Sequence, residues 1–219
     1  GCDYSDYEIH ATPSASGGLG GLGVTQKLVD AFFMNNGLPI TDSNSGYVQT
    51  GFSTSDVTLD NTQWDTKVNG GHITTKNTYN MYCNREPRFY VSVSFNNSYF
   101  TQEQRPFEFF NGGKDNPHTH DAPQNGYLVR KKLSPNSNVK QGNIQYRPGI
   151  LYRLGEAYLN YAEALNESDP GNADILVYLN KIRERAGVRQ YTTGSTDNNF
   201  IHVDLNDQDA MRKLIHAER

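Results

Sequence analysis

Tyr152-Arg153-Leu154-Gly155-Glu156-Ala157-Tyr158-Leu159-Asn160-Tyr161-Ala162-Glu163-Ala164-Leu165-Asn166-Glu167 is the stretch on which the reading of this chain turns. Leu151, Leu154, Ala157, Tyr158, Tyr161, Ala162 and Leu165 recur at helical spacing, with Pro148 just ahead of them. The stretch therefore predicts an amphipathic helix with that stripe facing inward. After Asp169-Pro170, the residues Ile175, Leu176, Leu179, Ile182 and Ala186 predict a second helix, with Pro170 in its first turn and Gly187 as its stop. Two such helices joined by a tight turn form a helical hairpin of the tetratricopeptide kind. This register predicts Leu154, Tyr158, Tyr161, Leu165, Leu179 and Ile182 buried between the two helices, with Lys181, Arg183, Glu184 and Arg185 on the wet side or paired locally. A third helix is predicted from about Asp207, carrying Met211, Leu214 and Ile215 and running to Arg219. One hairpin cannot bury both its faces, so this layer calls for packing partners.

Upstream of Arg147 the character changes. Leu28, Val29, Phe32 and Phe33 predict a helix from about Thr25, its N-cap, to Asn35, with Gly37 as its stop. Phe89-Tyr90-Val91-Ser92-Val93-Ser94-Phe95 alternates and is rich in β-formers, so it predicts a strand, with Asn96-Asn97 as the turn after it. Shorter strands are predicted over Tyr7–His10 and from about Gly126 to Lys131. Residues 38–85 and 111–126 are polar and punctuated by Gly, Asn, Ser, Asp and Pro, and read as loop. The expected organisation is a loop-rich, ligand-facing region over residues 1–146 and a helical region over 147–219. The expected fold class is mainly α: tetratricopeptide-like helical pairs plus a large irregular region with short β-strands.

Composition narrows the function. Of 219 residues only 35% are hydrophobic and the mean hydropathy is -0.73, so apolar cores are limited. Fourteen Tyr and ten Phe stand against a single Trp, a balance that suits polar ligands such as sugars once the aromatics that fill the core are set aside. A net charge of -4 and a pI near 5.9 argue against nucleic acid and against anionic lipid surfaces. Cys2 and Cys83 are too few for a disulfide framework and offer no zinc pattern. No apolar run is long enough to span a bilayer.

Three motifs invite a catalytic reading and fail on context. Gly18-Leu19-Gly20-Gly21-Leu22-Gly23 matches the dinucleotide fingerprint, but the strand before it is short and polar and no apolar strand follows, so it reads as a flexible surface loop. His118-Thr119-His120-Asp121 resembles half a metallohydrolase site. It lies in a polar loop between Pro117 and Pro123, without further ligands in pattern, so no metal is expected there. Carboxylate pairs for glycoside hydrolysis are cheap among 24 acidic residues and carry no weight. The expectation is a binding protein without catalysis and without a cofactor.

Six ordered segments carry a family resemblance. Tyr152 to Glu167 is similar to the R-L-x-E-x-Y-L-N-Y-A-E-A-x-N-E signature of the SusD/RagB family, and Leu179-Asn180-Lys181-Ile182-Arg183-Glu184-Arg185-Ala186-Gly187 resembles its L-N-x-I-R-x-R-A-G helix. Thr25 to Phe32 resembles P-T-Q-x-L-V-D-x-F with Val24 in place of Pro. Asn84 to Tyr90 resembles R-D/E-P-R-F-Y, and Gly126 to Lys131 resembles G-Y-x-x-R-K. Ile215, Glu218 and Arg219 match I-x-x-E-R. The resemblance implies a glycan-binding lipoprotein, anchored by lipid to the outer membrane at the cell surface, that delivers oligosaccharide to a SusC-like TonB-dependent transporter. A peptide-binding importer subunit of the RagB type, or a helical-repeat protein scaffold, is the alternative. The family's Thr-Gln-x-Leu-Val-Asp segment sits near mid-chain, so the sequence reads as an internal fragment in which Cys2 is not the lipid anchor. No motif fixes the ligand site. Trp64, flanked by Asn61, Gln63 and Asp65, is the expected stacking platform, with Tyr47, Tyr79, Asn80 and Tyr82 beside it. Arg85, Glu86 and Arg88 are expected to be structural.

Overall fold

The computed structural model describes residues 4–58, 72–116, 120–194 and 196–219; Cys2, Trp64 and His118 lie outside them. Among the described residues three short α-helices, α1 (Tyr4–Ala11), α2 (Gln26–Ala31) and α3 (Pro87–Ser92), precede three longer ones, α4 (Leu154–Ser168), α5 (Asp174–Ala186) and α6 (Gln208–Glu218). The strands are short and paired in twos: β1 (Val57–Thr58) with β2 (His72–Thr74), β3 (Val93–Phe95) with β6 (Tyr127–Val129), β4 (Tyr99–Phe100) with β5 (Arg105–Pro106), and β7 (Gln190–Thr192) with β8 (Phe200–His202). Only the last pair is parallel. The architecture is mainly α with an irregular region carrying short strands, as the sequence predicts.

Several elements differ from expectation. Tyr7–His10 belongs to helix α1, not to a strand. The glycine run is not a flexible loop: it lies along the end of α1, where Leu19, Gly20 and Leu22 donate N–H bonds of 2.9 Å to the carbonyls of Ile9, Thr12 and His10. These are the carbonyls a helix end leaves unpaired. A Cβ on Gly18 would stand 2.0 Å from the Thr12 oxygen, so the close approach requires glycine there. The strand predicted over Phe89–Phe95 is half helix. Pro87 presets φ at the first position of α3, and only Val93–Phe95 pairs, through Val93↔Val129, Ser94↔Leu128 and Phe95↔Tyr127. All three residues of β3 are buried, so the alternation did not mark a wet face.

Helix α2 keeps its predicted N-cap, Thr25 Oγ1 accepting from the Leu28 N–H, but ends at Ala31 and leaves Leu28 exposed. Its stop is Arg85. That buried guanidinium donates to the carbonyls of Val29 (2.6 Å), Phe32 (2.7 Å), Phe33 (3.4 Å) and Met81 (3.0 Å). It thereby replaces the next helical turn as partner of the last carbonyls. Around it Val24, Val29, Ile73, Met81, Phe89, Tyr90, Val93, Phe95 and Tyr127 form one core.

The helical core is Leu159, Ala162, Ile175, Leu179, Tyr191, Leu205, Met211 and Ile215. Here the predicted register needs correction. Leu154 is 65% exposed and Tyr161 45%, and Tyr158, Leu165 and Ile182 are only partly covered, whereas Leu179 is fully buried. Helix α4 presents Ala162 of the predicted stripe, with Gly155, Leu159 and Asn166 beside it, to α5 and α6. Its small residues bring the axes close: a Cβ on Gly155 would stand 3.3 Å from Ile182 Cδ1. Buried Asn166 is held by reciprocal bonds with Gln208, to its carbonyl (3.0 Å) and from its amide (2.8 Å). Helix α5 begins at Asp174, so Pro170 lies in the turn before it; Gly187 ends it at φ +70, and Asp207 caps α6 through the Ala210 N–H, as expected.

Arg183, expected on the wet side or paired locally, is fully buried. It pairs with Glu218 and donates to the Tyr191 hydroxyl (2.9 Å), the Arg189 carbonyl (2.5 Å) and the Gly37 carbonyl (2.8 Å). The second oxygen of Glu218 accepts from Arg88 (3.1 Å), Arg88 also grips Glu86 (2.5 Å), and Glu86 accepts the Phe33 N–H (2.9 Å). Burial pushes the Glu86 carboxyl up; the same carboxylates keep Arg88 firmly protonated against its own burial. Arg85, Glu86 and Arg88 are structural, as predicted, though Arg85 is satisfied by carbonyls rather than by a carboxylate.

A second polar weld fixes the loop after β5. Asp115, fully buried, accepts from both terminal nitrogens of Arg105 (2.7 and 2.8 Å) and from the Glu108 N–H (2.9 Å). Glu103 accepts from Arg105 (2.6 Å), Lys114 (3.0 Å) and Ser16 (2.5 Å). Burial alone would raise the Glu103 carboxyl, but these three hydrogen bonds outweigh it and hold it at about 2, against 4.5 when free. A depressed carboxylate stabilises the fold above its unfolded value and ceases to do so as pH falls through its folded one. Thermal midpoints are therefore expected to fall between pH 4.5 and 2 in the wild type and to fall less in Glu103→Gln. Parallel curves for the two proteins would remove Glu103 from the account.

Candidate functional site

The surface above the first core is built from two clamped segments, residues 50–53 and 75–80. Gly51 turns the chain at φ +84, and Phe52 forms an antiparallel bridge with Tyr79. The bridge is fixed by N–H bonds from Ser53 to Thr78 O (2.8 Å), Asn77 to Ser53 O (3.0 Å) and Asn80 to Gly51 O (2.9 Å). The Asn80 amide closes it with a bond to Thr50 O (2.8 Å). So held, Phe52 stands 63% exposed with its ring edge-on to Tyr79, centroids 5.5 Å apart.

A chain of rings runs inward from this pair. Tyr79 lies 6.0 Å from Tyr82, and Tyr82 lies 4.5 Å from Phe95. The Tyr82 hydroxyl donates to that of Tyr127 (3.1 Å), which donates to Gln26 Oε1 (2.7 Å). Burial drives the Tyr82 and Tyr127 phenols upward, so both stay protonated donors at neutral pH. Tyr47 packs on the same core with the Arg85 guanidinium 5.8 Å beneath its ring; burial raises its phenol too, Arg85 opposing and Asp30 adding to the shift.

Four of the five sequence-predicted residues thus come together: Tyr47, Tyr79, Asn80 and Tyr82. Trp64 lies outside the described residues. Tyr82 belongs mainly to the core, and Asn80 uses its amide N–H on the Thr50 carbonyl. Phe52 was missed, although Gly51-Phe52-Ser53 meets the criterion applied to Trp64, an aromatic without apolar neighbours at regular spacing. Rings that stack, phenols and an amide that hydrogen-bond can hold a polar ligand with apolar faces. The arrangement asks for no proton transfer. His120 is exposed beside Asp121 (3.3 Å), and among the described residues no group of three or more His, Cys, Asp or Glu could hold a metal. Among them, too, no helix is long and apolar enough to cross a membrane.

The profile described as the SusD family matches residues 2–219. A SusD-like protein (BF3747) of Bacteroides fragilis NCTC 9343 aligns with 27% identity and a TM-score of 0.52, over 92% of this chain and 33% of its own. A SusD-like carbohydrate binding protein (BF0978) of the same strain aligns with 19% identity and a TM-score of 0.63, over 98% of this chain and 35% of its own. The protein BT4246 aligns with 23% identity and a TM-score of 0.64, over 92% of this chain and 33% of its own. The chain therefore spans about a third of the length of the solved structures it resembles. No curated protein matches it.

Proposed function

The chain belongs to the SusD family, and from that premise we propose that it binds oligosaccharide through the patch of Tyr47, Phe52, Tyr79 and Asn80, without chemical turnover. The observation that carries the reading is Phe52. A large apolar ring stands open to solvent on a backbone-locked bridge, braced edge-on by Tyr79. Sugars offer such rings their apolar C–H faces and offer amides and phenols their hydroxyls. A ring that is already held rigid binds without the entropy cost of ordering it. The carbohydrate binding named for BF0978 supports the same ligand class. Delivery to a SusC-like TonB-dependent transporter, from a lipid-anchored position on the outer membrane, completes the proposal, and Trp64 remains in it as a further platform.

The test is a glycan array followed by calorimetry on the oligosaccharide that binds best, with a peptide library as the competing arm. Phe52→Ala and Tyr79→Ala are each expected to weaken binding by about 1 kcal/mol, the worth of one aromatic contact. Full affinity in both variants, or binding confined to the peptides, would sink the proposal.

A further inference from the structure

We infer that Phe110 is a second saccharide-stacking platform, so that the ligand is an extended, uncharged oligosaccharide lying across Phe52 and Phe110. The inference rests on the glycan reading above and goes beyond it in placing a distal subsite and in naming the ligand's length and charge. Phe110 is 53% exposed, while Phe107 and Phe109 beside it are buried against Phe100 and Leu128. A loop that needed this third ring for packing would have turned it inward with the other two.

The loop is also held far more firmly than an exposed turn requires. Besides the Asp115 weld, Asn96 Oδ1 accepts the N–H groups of both Phe109 (2.9 Å) and Phe110 (3.3 Å). Gly113 N–H returns to Phe110 O (2.9 Å), Asn116 donates to Phe109 O (3.2 Å), and Lys114 N–H donates to Glu108 (3.0 Å). A Cβ on Gly113 would stand 2.4 Å from the Glu108 oxygen, so the turn closes that tightly only with glycine. Ordering a surface loop costs conformational entropy, and a loop so fixed presents its ring in one place.

That place is tied to the first patch. Asn97, next to the residue that holds Phe110, donates its amide to Asn77 O (2.9 Å). Asn77 donates its N–H to Ser53 O (3.0 Å), and Ser53 follows Phe52. The two exposed rings are thus joined by one short relay of direct hydrogen bonds through asparagines, with no mobile linker between them. Near Phe110 the cations are taken up, Arg105 and Lys114 pairing with Glu103 and Asp115, and Glu108 adds a further carboxylate. The residues that follow the ring, Asn111 and Gly112, are exposed and offer an amide and bare backbone. Such a surface suits hydroxyls and leaves a carboxylated or sulfated sugar without a counter-charge.

The test compares wild type, Phe52→Ala, Phe110→Ala, Phe110→Leu and Phe110→Tyr on ladders of neutral gluco-, manno-, xylo- and galacto-oligosaccharides from disaccharide to octasaccharide. On the ladder that binds, Phe110→Ala and Phe110→Leu are expected to lose about fivefold to tenfold in affinity for the longest members. They should leave the disaccharide unchanged, and Phe110→Tyr should retain the length dependence. Phe52→Ala should weaken every length. Phe110→Leu keeps an apolar side chain of similar bulk, so a disturbed loop in the Ala variant does not decide the outcome. Equal losses at all lengths, or none, would overturn the distal subsite while leaving the Phe52 patch standing. Absence of binding to any neutral ladder by the wild type would overturn the uncharged ligand and its distal subsite, while the glycan array decides the Phe52 patch separately.

Discussion

Arg183→Met is expected to lower the free energy of unfolding by about 3–5 kcal/mol, the cost of breaking a buried ion pair by removing one partner. The Arg183 and Glu218 side chains are both fully buried. Without the guanidinium, Glu218 keeps Arg88 (3.1 Å) and a long bond from the Tyr191 hydroxyl (3.4 Å), and that hydroxyl and the carbonyls of Gly37 and Arg189 lose a donor. The double variant Arg183→Met/Glu218→Met removes both charges and should be less destabilised than the sum of the two single variants. Urea unfolding followed by circular dichroism reads all of these. A single-variant loss below about 1 kcal/mol would mean that water or Arg88 compensates fully, and that the pair contributes little.

Arg85→Met is the second large effect, for a different reason. Arg85 has no carboxylate within its hydrogen-bond set; its partners are four backbone carbonyls at the end of α2 and in the turn at Met81. Each buried acceptor left unpaired costs about 1–3 kcal/mol, so a loss of roughly 3 kcal/mol or more is expected. Arg85→Lys should recover only part of it, because one ammonium cannot reach carbonyls set out for a planar fork. The guanidinium also lies 4.9 Å from the Phe89 ring and 5.8 Å from Tyr47. The near-ultraviolet signal of the tyrosines should therefore change with the stability. An Arg85→Lys protein as stable as wild type would show that charge alone, without the fork, holds α2.

The helices were legible because their signals are local. Thr25, Asp207 and Gly187 act through bonds to residues within four positions, and each sits where the sequence placed it. The face that α4 buries was not legible, because two stripes compete. The one richer in large apolar residues, Leu151, Leu154, Ala157, Tyr158, Tyr161, Ala162 and Leu165, is the one the sequence predicts inward, and of it Ala162 is fully buried. The helix packs through Gly155, Leu159, Ala162 and Asn166, where small size rather than hydrophobicity decides and where the Asn amide N–H donates to the Gln208 carbonyl across the core. Arg183 was misplaced for the same reason, since a charge reads as solvent-facing until its partners at Gly37 and Glu218 are known. In the candidate site Tyr47, Tyr79, Asn80 and Tyr82 were found by composition, but their roles depend on the bridge between Phe52 and Tyr79, a pairing across more than twenty residues that no local pattern announces.

The bond from Arg183 to Gly37 joins residues 146 apart, and that from Arg88 to Glu218 joins residues 130 apart. The hairpin of α4 and α5 with α6 is local and closes small loops; the pairing of these charges closes loops of more than half the chain, at an entropic cost that must be met before the contact returns anything. During folding, Arg88, Arg183 and Glu218 thus stay hydrated until their surroundings are nearly complete, and the desolvation of all three falls late. The junction of α3, the turn at Gly37 and α6 is therefore expected to be among the last parts of this fold to become rigid.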